Sequence, residues 1–208
     1  MSEVRNVVIT GGNGDIAQEI KRQLEARGGY TIYTPGKAEL DVTNIGMVTQ
    51  YFNEVTPDIL INNAGYVSPM SIKDASIVIE KKSLEINLFG VFNCAAAVLD
   101  KNNKAKIINI GSSAATKPHG TWSSYCAAKA AVVMATKCWA EDGVDVICLS
   151  PGRTATKMRK GLFPKEDQET LLTCKDFAKI VLQTIDNQYE RGSHIDVTKQ
   201  NVEGLLNG

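Results

Sequence analysis

Short β-branched runs alternate along this chain with longer stretches in which apolar residues return every three or four positions. Residues 7–10, VVIT, form the first such run and read as a buried strand. A glycine turn leads from it into 16–27, where Ile16, Ile20 and Leu24 recur at helical spacing. Gly28-Gly29 stops that helix, and 30–34 reads as a second strand closed by Pro35-Gly36. A helix is expected over 45–55, with Ile45, Val48, Phe52 and Val55 on one face, then a buried strand over 58–62. A long helix around 81–99 carries Leu84, Leu88, Val91 and Phe92 and precedes a strand at 106–110. A helix at 125–141 and a strand at 145–149 follow. After Pro151-Gly152 the chain is polar and irregular to about residue 174, and a helix at 176–187 and a strand at 193–197 close it. This alternation predicts an α/β fold, a doubly wound parallel sheet covered by helices on both faces. There is no internal repeat and no low-complexity tract.

With 208 residues the chain has room for one domain, expected to span 1–208. Lys plus Arg and Asp plus Glu both number 23, so no basic excess draws the chain to nucleic acid or an anionic membrane. The expected partner is a small molecule or another protein. Cys94, Cys126, Cys138, Cys148 and Cys174 lie apart in apolar segments, with no C-x-x-C pair, and read as reduced core residues. With only His119 and His194 present, no metal site is expected and a Ser-His-Asp hydrolase has few candidates. The opening MSEVRNVVIT has no signal-peptide core, and no apolar run approaches the ~20 residues of a membrane span. A cytoplasmic location is the expectation.

The turn Thr10-Gly11-Gly12-Asn13-Gly14-Asp15-Ile16-Ala17 combines glycines with a helix N-terminus, whose free amides and positive dipole end favour a pyrophosphate. The alternative is a glycine turn required by packing alone. A dinucleotide fold often carries an acid after its second strand for the ribose of NAD, and a cation there for the extra phosphate of NADP. Here that end reads Thr34-Pro35-Gly36-Lys37, so Lys37 favours NADP, while nearby Glu39 leaves NAD open. Tyr125 stands four residues before Lys129, with Ser112 thirteen residues ahead of the tyrosine. On a helix that spacing stacks phenol and ammonium on one face. A phenol with a pKa near ~10 serves acid-base chemistry at neutral pH when a positive charge favours its ionised form. An isolated Tyr-x-x-x-Lys would read as a core tyrosine and a surface lysine.

The pair is not isolated. Asn62-Asn63-Ala64-Gly65, Asn87 in NLFG, Ser112 in INIGSS, Tyr125 with Lys129, and Pro151-Gly152 with Thr156 follow one another in order. In this the chain resembles the short-chain dehydrogenase/reductase family over residues 4–197. The resemblance implies a Rossmann-type fold and an oxidoreductase that moves hydride between a nicotinamide cofactor and a carbonyl or secondary alcohol. It makes Tyr125 the general acid or base, Ser112 rather than Ser113 its partner on the substrate oxygen, and Lys129 the group that lowers the tyrosine pKa and binds the nicotinamide ribose. Asn87 matches the helix asparagine that supports a proton relay. Cofactor contacts carry over to Gly11, Asn13, Gly14, Asp15 and Ile16, to Lys37, to Asp41 and Val42, and to Asn63, Ala64 and Gly65. Tyr125, Lys129, Pro151, Gly152, Thr154 and Thr156 complete the set. Asp41 also reads as a helix cap. A homodimer or homotetramer is implied, through the helices at 81–99 and 125–141.

Three departures stand out. The turn is spaced T-G-x-x-G-x-x-A, as in the family's extended relatives, although the chain is short. Only a few residues separate the second strand from LDVT, so one crossover on that flank is missing. The substrate lid, expected around 157–175, is short and carries Lys157, Arg159, Lys160, Leu162 and Phe163; it reads either as a solvated flap or as an anion-binding lid. Two other functions are compatible with the fold. A dinucleotide-binding redox-sensing regulator would not need an acid with a charged neighbour. An epimerase or dehydratase would need a larger C-terminal domain than the residues after Pro151 provide.

Overall fold

A computed structural model of the chain describes residues 4–208, so the part of the opening segment at 1–3 lies outside the described residues. Strand β1 (Arg5–Ile9) alternates its side chains between the two faces of the sheet: Val7 and Ile9 enter one core, Val8 the other. Helix α1 (Asp15–Arg27) returns over the first face and leads to β2 (Tyr30–Tyr33), which pairs parallel to β1. Residues 34–44 contain no helix or strand, so β2 remains the sheet edge, as the missing crossover predicts. Helix α2 (Ile45–Glu54), capped by the Asn44 side chain, then carries the chain to β3 (Ile59–Asn62) on the other side of β1. Helix α3 (Ile77–Leu84) passes through a π-type turn, Glu85–Phe89, into α4 (Gly90–Lys101), and β4 (Lys106–Ile110) follows. Next come α5 (Ser123–Glu141), β5 (Val146–Pro151), α6 (Lys157–Leu162), α7 (Cys174–Ile185), β6 (His194–Val197) and α8 (Val202–Asn207).

The six strands are all parallel, in the order β2-β1-β3-β4-β5-β6. Ile20 and Leu24 of α1 and Phe177 and Val181 of α7 cover one face; Val48, Phe52, Cys94 and Val98 of α2 and α4 cover the other. Because β2 and β3 leave β1 in opposite directions, the loops at their carboxyl ends part and open a crevice above β1. A buried polar chain runs beneath that end. The Asn62 amide donates to Asn109 at 2.9 Å, and the Asn109 amide donates to the Thr136 hydroxyl of α5 at 3.0 Å.

Several expectations change. The helix expected at 81–99 begins at Ile77, and Ile77–Lys101 is by length and composition apolar enough to cross a membrane. Val91, Cys94, Ala95 and Val98 of this helix are buried within the molecule, while Ile77, Val78, Phe89 and Phe92 are exposed. Ile45 is 67% exposed, because it sits in the first turn of α2, ahead of the stripe formed by Val48 and Phe52. Of the cysteines only Cys94 and Cys148 are buried. Cys126 and Cys174 are partly buried, and Cys138 is exposed, two residues off the α5 stripe of Val132, Thr136 and Ala140. Helices α6 and α8 were not signalled by any apolar period.

Candidate active site

The glycine turn joins β1 to α1 and is stitched to the loop after β3. Thr10 Oγ1 accepts from the amides of Asn63 and Ala64, both at 3.0 Å, and the Asn63 side chain returns a bond to the Thr10 carbonyl. Gly11 has φ 65°, and a Cβ there would lie 2.8 Å from the Ala64 Cα; one on Gly12 would strike the Thr34 backbone. Packing therefore does require these glycines. Helix α1 nevertheless starts at Gly14 without a side-chain cap, which leaves first-turn amides for a ligand.

That helix end opens on a cavity of about 500 Å³ running to Pro151 and Thr156. Gly11, Asn13, Gly14, Asp15, Ile16, Lys37, Asp41, Val42, Asn63, Ala64, Gly65, Tyr125, Lys129, Pro151 and Thr156 all line it. Gly152 and Thr154 do not. The Gly152 amide donates to the Val197 carbonyl at 2.8 Å and the Thr154 hydroxyl to the Gly152 carbonyl at 3.0 Å, so both shape the turn behind the wall. The wall also contains Lys157, named above in the expected lid, and Leu40, Tyr66, Lys82, Ile86, Gly111 and Met158, which sequence reasoning missed. Tyr66 had a signal, since it directly follows the Asn-Asn-Ala-Gly run.

Asn87 stands behind the cavity, fully buried in the π-type turn. Its amide donates to the Tyr66 carbonyl at 2.6 Å and accepts from the Tyr66 amide at 3.1 Å, clamping the loop after β3. Ser112 follows β4 in extended conformation, and its hydroxyl accepts from the Ala114 amide at 3.1 Å. Tyr125 and Lys129 project from the first half of α5. The Lys129 ammonium is 5.8 Å from the centre of the Tyr125 ring and donates to the Ile110 carbonyl at 2.8 Å. Burial pushes the Tyr125 phenol up, against the pull of the Ser112 hydroxyl. Burial also brings Lys129 down to about 8. The downward pull on the phenol comes from Ser112 rather than from the lysine, and burial exceeds it.

The sequence profile of the short chain dehydrogenases matches residues 3–167, across the glycine turn and the Ser112, Tyr125 and Lys129 positions. The chain belongs to this family. As a short-chain dehydrogenase it is an oxidoreductase with a nicotinamide-type fold. It is 30% identical to 2,3-dihydro-2,3-dihydroxybenzoate dehydrogenase of Bacillus subtilis, over 76% of this chain and 73% of that protein. It is 29% identical to the 3-oxoacyl-[acyl-carrier-protein] reductase FabG of Vibrio cholerae, over 81% of each. The solved structure "ElxO with NADP Bound" superposes with a TM-score of 0.80 at 21% identity, over 93% of this chain and 96% of that one.

The segment 157–166 of this short-chain dehydrogenase is held by ion pairs, one to α1 and one within itself. The Asp15 carboxylate accepts from the Lys157 amide at 2.6 Å and lies 3.6 Å from its ammonium. Arg159 makes a two-pronged pair with Glu166, at 2.6 and 2.7 Å, and stacks on Phe163. The ring centre of Phe163 is 6.0 Å from that of Trp122, which meets the Tyr125 ring edge-on at 5.6 Å.

Proposed function

We propose that this short-chain dehydrogenase transfers hydride between NADP(H) and a carbonyl or secondary alcohol. The observation that carries the reading is the placing of Tyr125 and Lys129 on one wall of a cavity whose other end is the uncapped helix and its glycine turn. The close glycine backbone and the first-turn amides of Asp15 and Ile16 fit a pyrophosphate, and Asp41, Val42, Ala64 and Ile86 fit an adenosine. When bound there, the nicotinamide supplies or accepts the hydride. Tyr125 gives its hydroxyl proton to the carbonyl oxygen in reduction and takes one in oxidation. Ser112 donates to the same oxygen, stabilising the charge that develops on it. Lys129 holds the ribose hydroxyls, and Asn87 keeps the loop after β3 in place.

NADP is favoured over NAD by what surrounds the end of β2. Glu39, the nearby acid, accepts from the Gly36 amide at 2.8 Å and so is engaged by its own loop. Lys37, 76% exposed, reaches the cavity from a loose 3.4 Å contact with Asp41. ElxO, a relative by fold, was solved with NADP. Titrating NADPH and NADH into the protein, read by nicotinamide fluorescence and melting temperature, tests the choice. NADPH is expected to bind more tightly, and Lys37→Ala to weaken it about tenfold while sparing NADH, as loss of a charge-assisted bond requires. Tighter NADH binding would reverse the cofactor assignment.

The natural substrate is to be sought with a panel of aldehydes, diketones, 3-oxoacyl thioesters and ketose phosphates. Because Lys157 and Arg159 are engaged by Asp15 and Glu166, the reading of the lid as a flap is preferred to an anion-binding one. The free thiols suit a reducing compartment such as the cytoplasm. Phe89, Phe92 and Met134 are 57%, 41% and 59% exposed on the α4 and α5 side, and we assign to that surface a homodimer or homotetramer contact. Sedimentation should show a dimer or larger, dissociated by Phe89→Asp; a wild-type monomer at micromolar concentration would remove this assignment.

A further inference from the structure

We infer that Ser150 and His194, neither of which reaches the cavity, position Ser112 for catalysis through a hydroxyl relay built into the space left by Gly111. The inference rests on the role proposed for Ser112. Beyond the end of β4, the Gly111 amide still bonds to the Leu149 carbonyl at 2.8 Å. The next amide, that of Ser112, turns to the Ser150 side chain and donates to its hydroxyl at 3.1 Å. Ser150 is itself fully buried, and its oxygen lies 2.8 Å from His194 Nε2 on the neighbouring strand β6.

The donors and acceptors fit one arrangement. Burial lowers the His194 pKa, favouring a neutral ring whose Nε2 can accept the Ser150 hydroxyl hydrogen. The Ser150 oxygen is then left to accept from Ser112. Asp196 lies 3.7 Å from the same ring nitrogen, too far for a hydrogen bond, so the histidine's close partner is Ser150. Gly111 makes the relay possible. A Cβ at that position would strike the Ser150 hydroxyl and lie 2.9 Å from Cys148 Sγ. The Ser150 hydroxyl thus occupies the volume that a side chain on residue 111 would take.

A buried side-chain bond to the Ser112 amide holds the residue whose own hydroxyl must meet the substrate oxygen beside Tyr125. An error of a few tenths of an ångström in that hydroxyl is felt in turnover more than in cofactor binding, because Ser112 does not line the cavity that would hold the cofactor, while its hydroxyl meets that of Tyr125. Ser150 and His194 are therefore positioning residues.

The test uses the full-length protein, NADPH and the best substrate from the carbonyl panel. Ser150→Ala is expected to lower kcat about tenfold while leaving the NADPH dissociation constant within about twofold. His194→Leu should lower kcat about threefold, and His194→Gln, which keeps an acceptor, should stay near wild type. Amide hydrogen exchange at Ser112, followed by NMR, should speed up in Ser150→Ala and His194→Leu. Gly111→Ala should lower the melting temperature by crowding Ser150. Adding Ser150→Ala to it should recover part of that loss, the contact with Cys148 remaining, without restoring kcat, a separation that a purely packing role would not produce. Wild-type kcat in a folded Ser150→Ala protein, or unchanged exchange at Ser112, would overturn the inference. If the wild type binds NADPH but reduces nothing in the panel, the enzymatic reading fails by itself, and the exchange rates still decide whether Ser150 holds the Ser112 amide.

Discussion

Tyr125→Phe is expected to bind NADPH as tightly as the wild type and to reduce carbonyl substrates roughly a thousandfold more slowly, within the range for loss of a general acid. The substitution removes one oxygen and keeps the ring, including its edge-on contact with Trp122 at 5.6 Å, so folding and the cavity wall are preserved. Because burial raises the phenol pKa, the protonated form dominates at neutral pH, which is the form that gives a proton to a carbonyl oxygen. Reduction should therefore run at neutral pH without waiting on this group. Oxidation of the alcohol requires the phenolate and should accelerate as pH rises. Steady-state rates in both directions between pH 6 and 10 check the prediction, and wild-type turnover by the Phe variant would remove Tyr125 from the mechanism.

Lys129→Met should separate stability from activity in the opposite way. The lysine is 4% exposed, and burial lowers its pKa to about 8, below the ordinary 10.5. Between those two pH values the unfolded chain holds a proton that the folded chain has released, so stability contributed by this group rises with pH across that window. Below it both states are protonated, and the folded protein carries the full cost of a buried ammonium, on the order of 3 kcal/mol. Methionine removes that cost. It also leaves the Ile110 carbonyl without its 2.8 Å partner, which offsets roughly 1 kcal/mol of the gain. The variant should melt higher than wild type at pH 7, while turnover falls by about two orders of magnitude as the ribose contact and the neighbouring charge are lost. In the wild type, NADPH affinity of the free enzyme should decline as pH rises through about 8, the pH at which the lysine loses its charge. A lower melting point at pH 7 together with flat NADPH affinity across that range would contradict both halves.

The same burial shows where sequence reasoning on the site went astray. Four-residue spacing on a helix was enough to put Tyr125 beside Lys129, because the helix alone sets that geometry. The sign of the effect on the phenol was not contained in the spacing. It depends on how much water α5, β4 and β5 exclude together, and desolvation outweighs the pull of the Ser112 hydroxyl. Gly152 and Thr154 were assigned to the cofactor from their place in a motif, yet their bonds to Val197 and within the turn direct them behind the wall. Lys82 enters the cavity from a segment without a motif of its own, and Tyr66, next to the Asn-Asn-Ala-Gly run, is held there because Asn87 clamps its backbone. Ser150 and His194 are separated by 44 residues, and only the pairing of β5 with β6 brings them together.

What this chain's sequence determined by itself is local in origin: the strand and helix periods, the glycine turn at the start of α1, the absence of a crossover after β2, and the Tyr125–Lys129 pair. Each follows from backbone sterics or from a repeat of two or 3.6 residues. The strand order, the 500 Å³ cavity, the fastening of Lys157 to Asp15, and the Ser112–Ser150–His194 contacts were decided only in the tertiary structure. They depend on which distant groups share a volume from which water has been removed, and pair distances and desolvation are properties of that volume rather than of any segment.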